Sequence, residues 1–227
     1  MANPVFQGPE MTASHQDCAH WDRAASTYDA EHREWLSEAF ESKIRSWLAQ
    51  RFTPDDDVLE LGCGTGIFSE MIAGQVRRLT ATDFSPEMLE RARHRLSAYD
   101  NVETRKEDAC HTSFADGAFD AVLTVNLFHH ASEPAAVARE CNRVVRPGGR
   151  VVVIDCAGHA TSVSSWIDAG LRRLRLRDRP HDDDHHLSLD DLTALLAGAG
   201  LTVQEKTHMR QRRPRAKYTC LRAAKPP

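Results

Sequence analysis

Short apolar runs alternate with longer apolar stripes through the middle of the chain. Val58-Leu59-Glu60-Leu61 opens the series, and further runs follow at 78–82, 101–105, 119–125 and 150–155. Runs of this length bounded by polar residues predict strands, and Phe119-Asp120-Ala121-Val122-Leu123-Thr124-Val125 is apolar enough to be covered on both faces. Between them the spacing turns helical, at 67–73, in Leu89, Ala92 and Leu96, and in Val137, Cys141 and Val144 of a helix over 133–145. Strand and helix in alternation predict a parallel sheet with right-handed crossovers and helices on both faces.

The flanks read differently. Leu36, Phe40, Ile44, Trp47 and Leu48 predict one amphipathic helix over about 33–51. After the fifth strand, Ile167, Leu171 and Leu174 form a stripe with arginines elsewhere around the helix. Ser188 with Asp191 resembles a capping box, and Leu189, Leu192 and Leu196 continue from it to Gly198 and Gly200. The segments 201–208 and 217–223 then predict a closing antiparallel pair, joined by the basic link 210–215.

Composition narrows the picture. The 227 residues suffice for one α/β domain with additions, and 41% hydrophobic with 27% charged residues is ordinary for a globular protein. The net charge of −4 gives no overall field for nucleic acid. No apolar run reaches the ~18–20 residues that span a bilayer. Six cysteines stand singly at 18, 63, 110, 141, 156 and 220, which suits free thiols and a cytoplasmic protein. Val5-Phe6-Gln7-Gly8-Pro9 resembles a protease-site scar of an expression vector, so 1–10 are set aside as a tail, Met11 is the expected natural start, and 11–227 is read as one domain.

The chemistry centres on the turn after the first strand. Gly62, Gly64 and Gly66 bring a ligand close to the backbone where a helix begins, with Cys63 between them. Ile67 stands where a dinucleotide fingerprint has its third glycine, so the turn fits a pyrophosphate poorly. Asp83 ends the second strand, 21 residues past Gly62, where a carboxylate can accept from both hydroxyls of a ribose. Phe84 and Met88 lie just beyond it, positioned to flank an adenine or to pack in the core.

From Glu60 to Gly66 the chain resembles the first motif of the class I S-adenosylmethionine-dependent methyltransferases, an acidic residue followed by G-x-G-x-G, and Asp83 matches their strand-two acid. Further matches run from about Trp21 to Cys156 in family order, including Arg146-Pro147-Gly148-Gly149 before the fifth strand. The pattern is similar to the small-molecule type found among ubiquinone and menaquinone biosynthesis methyltransferases. The resemblance implies a Rossmann-like seven-stranded mixed sheet in the order 3-2-1-4-5-7-6, with the last strand antiparallel. It implies S-adenosylmethionine as cofactor, S-adenosylhomocysteine as product and a small-molecule acceptor.

It also assigns residues. Glu60 and the turn at Asn126 would hold the cofactor's ammonium, Asp83 its ribose, and Asp108 with Ala109 its adenine edge. Tyr28, in Trp21-Asp22 to Tyr28-Asp29, matches a tyrosine that lies over the cofactor. Asn126-Leu127-Phe128-His129-His130 matches the motif beside the transferring methyl, with His129 the expected base and His130 its neighbour. The segments 11–52 and 157–187 would form a substrate cover. Two readings remain beside this one, an NAD(P)-dependent oxidoreductase and a non-catalytic module that binds the cofactor. His15, Cys18 and His20, and the run His181 to His186, are read as polar surface and not as metal sites. Oligomeric state and the acceptor atom, oxygen, nitrogen or sulfur, stay open.

Overall fold

The computed structural model describes residues 13–156, 187–211 and 216–227. The tail over 1–10, the apolar stripe and Asp/His run within 157–186, and the link 212–215 lie outside the described residues, so the expectations placed on them are not addressed by it.

The five alternating units form as their pattern predicts. Strands β1 (Asp57–Leu61), β2 (Arg78–Asp83), β3 (Val102–Lys106), β4 (Phe119–Val125) and β5 (Val145–Cys156) pair in parallel. The last two, β6 (Thr202–Gln211) and β7 (Ala216–Ala224), pair antiparallel, and β7 inserts between β5 and β6. The sheet order is 3-2-1-4-5-7-6. A hairpin supplies that antiparallel strand because its link is too short for a crossover.

Helices α3 (Ile67–Ile72), α4 (Pro86–Arg95), α5 (Pro134–Val144) and α6 (Leu189–Gly198) flank the sheet. Two cores result. Leu79, Ala81, Leu123, Val152 and Ile154 pack with Phe40, Ile44 and Leu48 on one face. Leu59, Val122, Val151 and Val153 pack with Val137, Cys141, Leu192 and Leu196 on the other. Ser85 caps α4 by accepting from the Met88 amide at 3.2 Å, and Ser188 with Asp191 completes the capping box on α6.

The N-terminal helix departs from the periodicity. Instead of one helix over about 33–51 there are two, α1 (Ala13–Trp35) and α2 (Glu38–Ala49). The break falls at Ser37, whose backbone is extended and whose amide and hydroxyl both donate to Gln211 Oε1, at 3.0 and 2.7 Å. A side chain 174 residues away in sequence thus diverts the cap hydroxyl. The apolar stripe is continuous across the break because Leu36, Phe40 and Ile44 still face the core. A stripe alone could not have revealed it.

Candidate active site

The carboxyl ends of β1, β2 and β4 open into one cavity of about 470 Å³. Open parallel sheets bind ligands at this edge, where crossovers leave in opposite directions. Here β1 turns toward β2 and β4 toward β5, so loops diverge and leave a cleft.

The glycine turn forms its floor. Gly62 has φ +69°, and a Cβ there would come 2.8 Å from Leu127 Cδ1. Glycine is therefore needed both for the left-handed backbone and for the close approach of the loop after β4. Gly62 and Gly64 line the cavity. Gly66 has a different task. Its φ is +82°, and a Cβ would sit 3.2 Å from the Ala92 Cα, so it lets α3 start against α4.

Asp83 is the electrostatic centre of the floor. It is buried, yet its Oδ2 accepts from the Gly64 amide and its Oδ1 from the Ser85 amide, each at 2.9 Å. Burial pushes its carboxyl above the ordinary range, and those amides pull it back. Phe84, Met88, Asp108 and Ala109 also line the cavity, as expected of an adenine pocket, and Asp108 Oδ1 accepts from the Cys110 amide at 2.8 Å.

Asn126 stands opposite. Its φ of 53° is the one positive value at a non-glycine among the described residues. Asparagine tolerates that conformation better than most residues. Its side chain hydrogen-bonds Tyr218 on β7, while its buried Oδ1 has no partner among the described residues. A buried, unpaired acceptor in a cavity wall is costly until a ligand donor meets it.

Helix α1 forms the roof. Trp21 and Tyr28 lie two turns apart on one face and both line the cavity. The helix is fixed at each end of that face. Asp22 Oδ1 accepts from the Ser85 hydroxyl at 2.5 Å, and Asp29 takes the Thr65 hydroxyl at 2.6 Å and Arg95 at 2.5 Å. The roof is thereby tied to the glycine turn and to the α4 cap, the two elements that form the floor. Burial and the nearby Asp83 push the Tyr28 phenol up to about 12, so it stays protonated.

Other sequence-selected residues lie behind these walls. Glu60 is buried beneath the turn, where its Oε2 accepts from the Ser69 hydroxyl at 2.5 Å. Burial pushes its carboxyl up to about 7. Glu60, Cys63, Gly66 and His129 are not among the described residues that line the cavity, whereas His130 is. His130 meets Trp21 edge-on with ring centroids 4.7 Å apart. His129 packs against His130 with ring centroids 3.8 Å apart and the rings tilted by 43°, and its Nδ1 is 2.5 Å from Asp155 Oδ1. Asp155 is fully buried, and its other oxygen accepts from the Phe128 amide at 2.8 Å.

Asp155 was not singled out in the sequence, although the signal existed: it ends an apolar strand, as Asp83 does. Glu107 and Glu133 were also passed over as wall residues, and polar loop acids carry no periodic signal that would mark them.

The charge of the wall decides between cofactors. Asp83, Glu107, Asp108 and Glu133 line the cavity, and among the described residues no lysine or arginine does. A pyrophosphate would meet repulsion here, whereas a sulfonium with an ammonium and ribose hydroxyls would meet acceptors. Asn126 Oδ1 supplies an unused one. The cavity thus suits S-adenosylmethionine and disfavours a dinucleotide.

Comparison with known proteins agrees. Residues 59–153 match the methyltransferase domain model. A ubiquinone biosynthesis O-methyltransferase of Xylella fastidiosa is 30% identical over 168 residues, covering 71% of this chain and 68% of that protein. The chain belongs to the class I S-adenosylmethionine-dependent methyltransferases. A second relative, the ubiquinone biosynthesis O-methyltransferase of Xanthomonas oryzae, is 35% identical over 96 residues, and that match spans only 40% of its length. Among solved structures, the N-methyltransferase NodS of Bradyrhizobium japonicum superposes with a TM-score of 0.64 at 20% identity, over 84% of this chain and 99% of that one. At that identity the likeness concerns the fold. The cofactor of this family is S-adenosylmethionine.

Proposed function

We propose that the protein transfers a methyl group from S-adenosylmethionine to a hydroxyl of a small-molecule acceptor, with His129 as the base. The observation that carries this reading is the His129 Nδ1 to Asp155 Oδ1 contact of 2.5 Å at the carboxyl edge of the sheet. The O-methyltransferase names of the relatives support a hydroxyl acceptor.

Bound S-adenosylmethionine supplies an activated methyl, so the chain's own task is alignment, exclusion of water and removal of a proton. Asp83 would accept from the ribose hydroxyls, Asp108 from the adenine amine, and Asn126 Oδ1 from the ammonium. Trp21 and Tyr28 close the roof. A hydroxyl nucleophile must lose its proton as the new bond forms. Asp155 accepts the Nδ1 proton of His129 and so holds the tautomer in which Nε2 carries the free lone pair. As Nε2 takes the proton, the buried carboxylate stabilises the imidazolium. The Phe128 amide fixes the other Asp155 oxygen, so the dyad is rigid before an acceptor arrives. Six free cysteines fit a reducing, cytoplasmic setting.

The test is a release assay for S-adenosylhomocysteine with a panel of hydroxylated acceptors. His129→Ala is expected to lower turnover by at least ~10² with cofactor affinity nearly unchanged. Asp155→Asn, which replaces the Nδ1 acceptor with an amide, is expected to fall in the same direction and to shift the pH profile. Near wild-type turnover of His129→Ala on a hydroxyl acceptor would sink the assignment.

A further inference from the structure

Across the sheet from the cofactor lies a row of polar residues on one face. Asp155 on β5 is in register with Thr219 on β7, and Thr219 with His208 on β6. The Thr219 hydroxyl and His208 Nδ1 are 3.4 Å apart, which confirms the shared face. Thr219 and Asp155 are fully buried. The row therefore leads from the His129 dyad out to the sheet edge.

One step closer to the carboxyl edge, on the same face, stands the pair Arg210 and Lys217. They are directly opposite in register. Like charges opposed across two strands repel and destabilise the pairing. The other charges of β6 are matched, Glu205 by Arg51 and Lys206 by Asp190. Among the described residues Arg210 and Lys217 have no acidic partner. Burial, then Lys217 and Arg210, hold the His208 imidazole below its ordinary value, so both cations act on this face. The sequence from Thr207 to Pro227 contains no acidic residue, in a chain whose net charge is −4. An opposed pair of cations is what an oxyanion would bridge.

We infer that Arg210 and Lys217 bind an oxyanion group, carboxylate or phosphate, of the methyl acceptor. The inference rests on the methyl-transfer reading and names its substrate class. Lys217 lies one strand over and two residues along from Asp155, which places the two backbones roughly 8 Å apart for strands ~4.8 Å apart with a rise of ~3.3 Å per residue. The acceptor would be a molecule whose hydroxyl and anionic group lie at opposite ends of a ring or short chain. The hydroxyl would face His129 and the anion would meet Arg210 and Lys217. The same pair discriminates against neutral analogues, because binding these leaves the cations opposed.

The test uses the full chain loaded with S-adenosylhomocysteine and titrated calorimetrically with matched probes. These are 4-hydroxybenzoate and 4-hydroxyphenylacetate, their neutral amides, and 4-hydroxyphenyl phosphate. At least one anionic probe is expected to bind at least about tenfold more tightly than its neutral counterpart. Whether the carboxylates or the phosphate gain more identifies the oxyanion. Arg210→Gln combined with Lys217→Gln is expected to abolish the preference, with a melting temperature at or above the wild-type value showing that the sheet is intact. Equal affinities for acid and amide, or no binding by any probe, would overturn the inference, as would a preference that survives the double substitution. A parallel methyl-transfer assay on the corresponding 3,4-dihydroxy acid and amide separates the two readings. Transfer to both at equal efficiency refutes the anion site and leaves methyl transfer standing. A preference in binding without transfer to any acceptor leaves the anion site standing and refutes the transfer reading.

Discussion

Replacing Asp83 with asparagine is expected to separate cofactor binding from folding, because the carboxylate proposed to take the ribose also holds two backbone amides. It holds the Gly64 and Ser85 amides at 2.9 Å and lines the cavity. A hydrogen bond to a charged acceptor contributes ~1.5–3 kcal/mol, and asparagine keeps an oxygen for only one of the two amides. Taken alone, that predicts a loss of folding stability of ~1–3 kcal/mol. The raised carboxyl pKa argues for an offset: burial disfavours the charge by more than the amides stabilise it, and asparagine removes that charge. The net change for the cofactor-free protein is therefore expected within about 1 kcal/mol. The ribose hydroxyls lose two charge-assisted acceptors with no such offset, so affinity for S-adenosylmethionine should fall by ~2–3 kcal/mol, or ~30–150-fold. Urea denaturation without cofactor measures the first quantity and calorimetric titration the second. A stability loss above ~3 kcal/mol with unchanged affinity would refute the reasoning and make Asp83 a purely structural acid.

Glu60 should make stability fall as pH rises. Its folded pKa of about 7 lies above that of the unfolded chain, so its stabilising contribution is complete below about pH 4.5 and is lost as pH rises to about 7. Glu60→Gln keeps a partner for Ser69 and should gain up to ~3 kcal/mol relative to wild type between pH 4.5 and 8, read from urea midpoints at the two pH values. Gly66→Ala should lower the unfolding free energy by at least ~2 kcal/mol, since a left-handed φ costs ~1–2 kcal/mol and the new Cβ would press on Ala92. Thermal melting checks it, and an unchanged midpoint would contradict the packing read from the loop.

How much could be read from the chain depended on whether a feature was local. Strands β1, β2, β4 and β5 are short, nearly unbroken apolar runs, and the turn at Gly62 to Gly66 needs residue types that stand out individually. The α1–α2 break could not be seen, because Gln211 imposes it from the far end of the chain. The placement of the two histidines was equally hidden. Adjacent positions on a turn are equivalent in a pattern, and it is the Asp155 carboxylate, brought in by the next strand, that sets them apart. His130 contacts Trp21 in the cavity wall while His129 is held beside it. The wall acids Glu107 and Glu133 become meaningful only when the sheet brings two loops together.

That gathering also explains why charge is divided along one sheet edge in a protein of modest net charge. The end of β2 and the loops after β3 and β4 carry Asp83, Glu107, Asp108 and Glu133, and the facing ends of β6 and β7 carry Arg210 and Lys217. On the proposed reading a cationic cofactor would be drawn to the first group and repelled from the second, and an anionic acceptor would be steered the other way, so neither ligand would compete well for the other's half. The His129–Asp155 dyad lies between them. It is where, on the proposed reading, a hydroxyl directed at the methyl would have to surrender its proton. Asp155, neutralising an imidazolium, is then the acid the proposed reaction requires between the two groups. Its two oxygens are engaged by the Phe128 amide and His129, so it stays with the dyad and leaves Lys217 to the acceptor the proposal calls for.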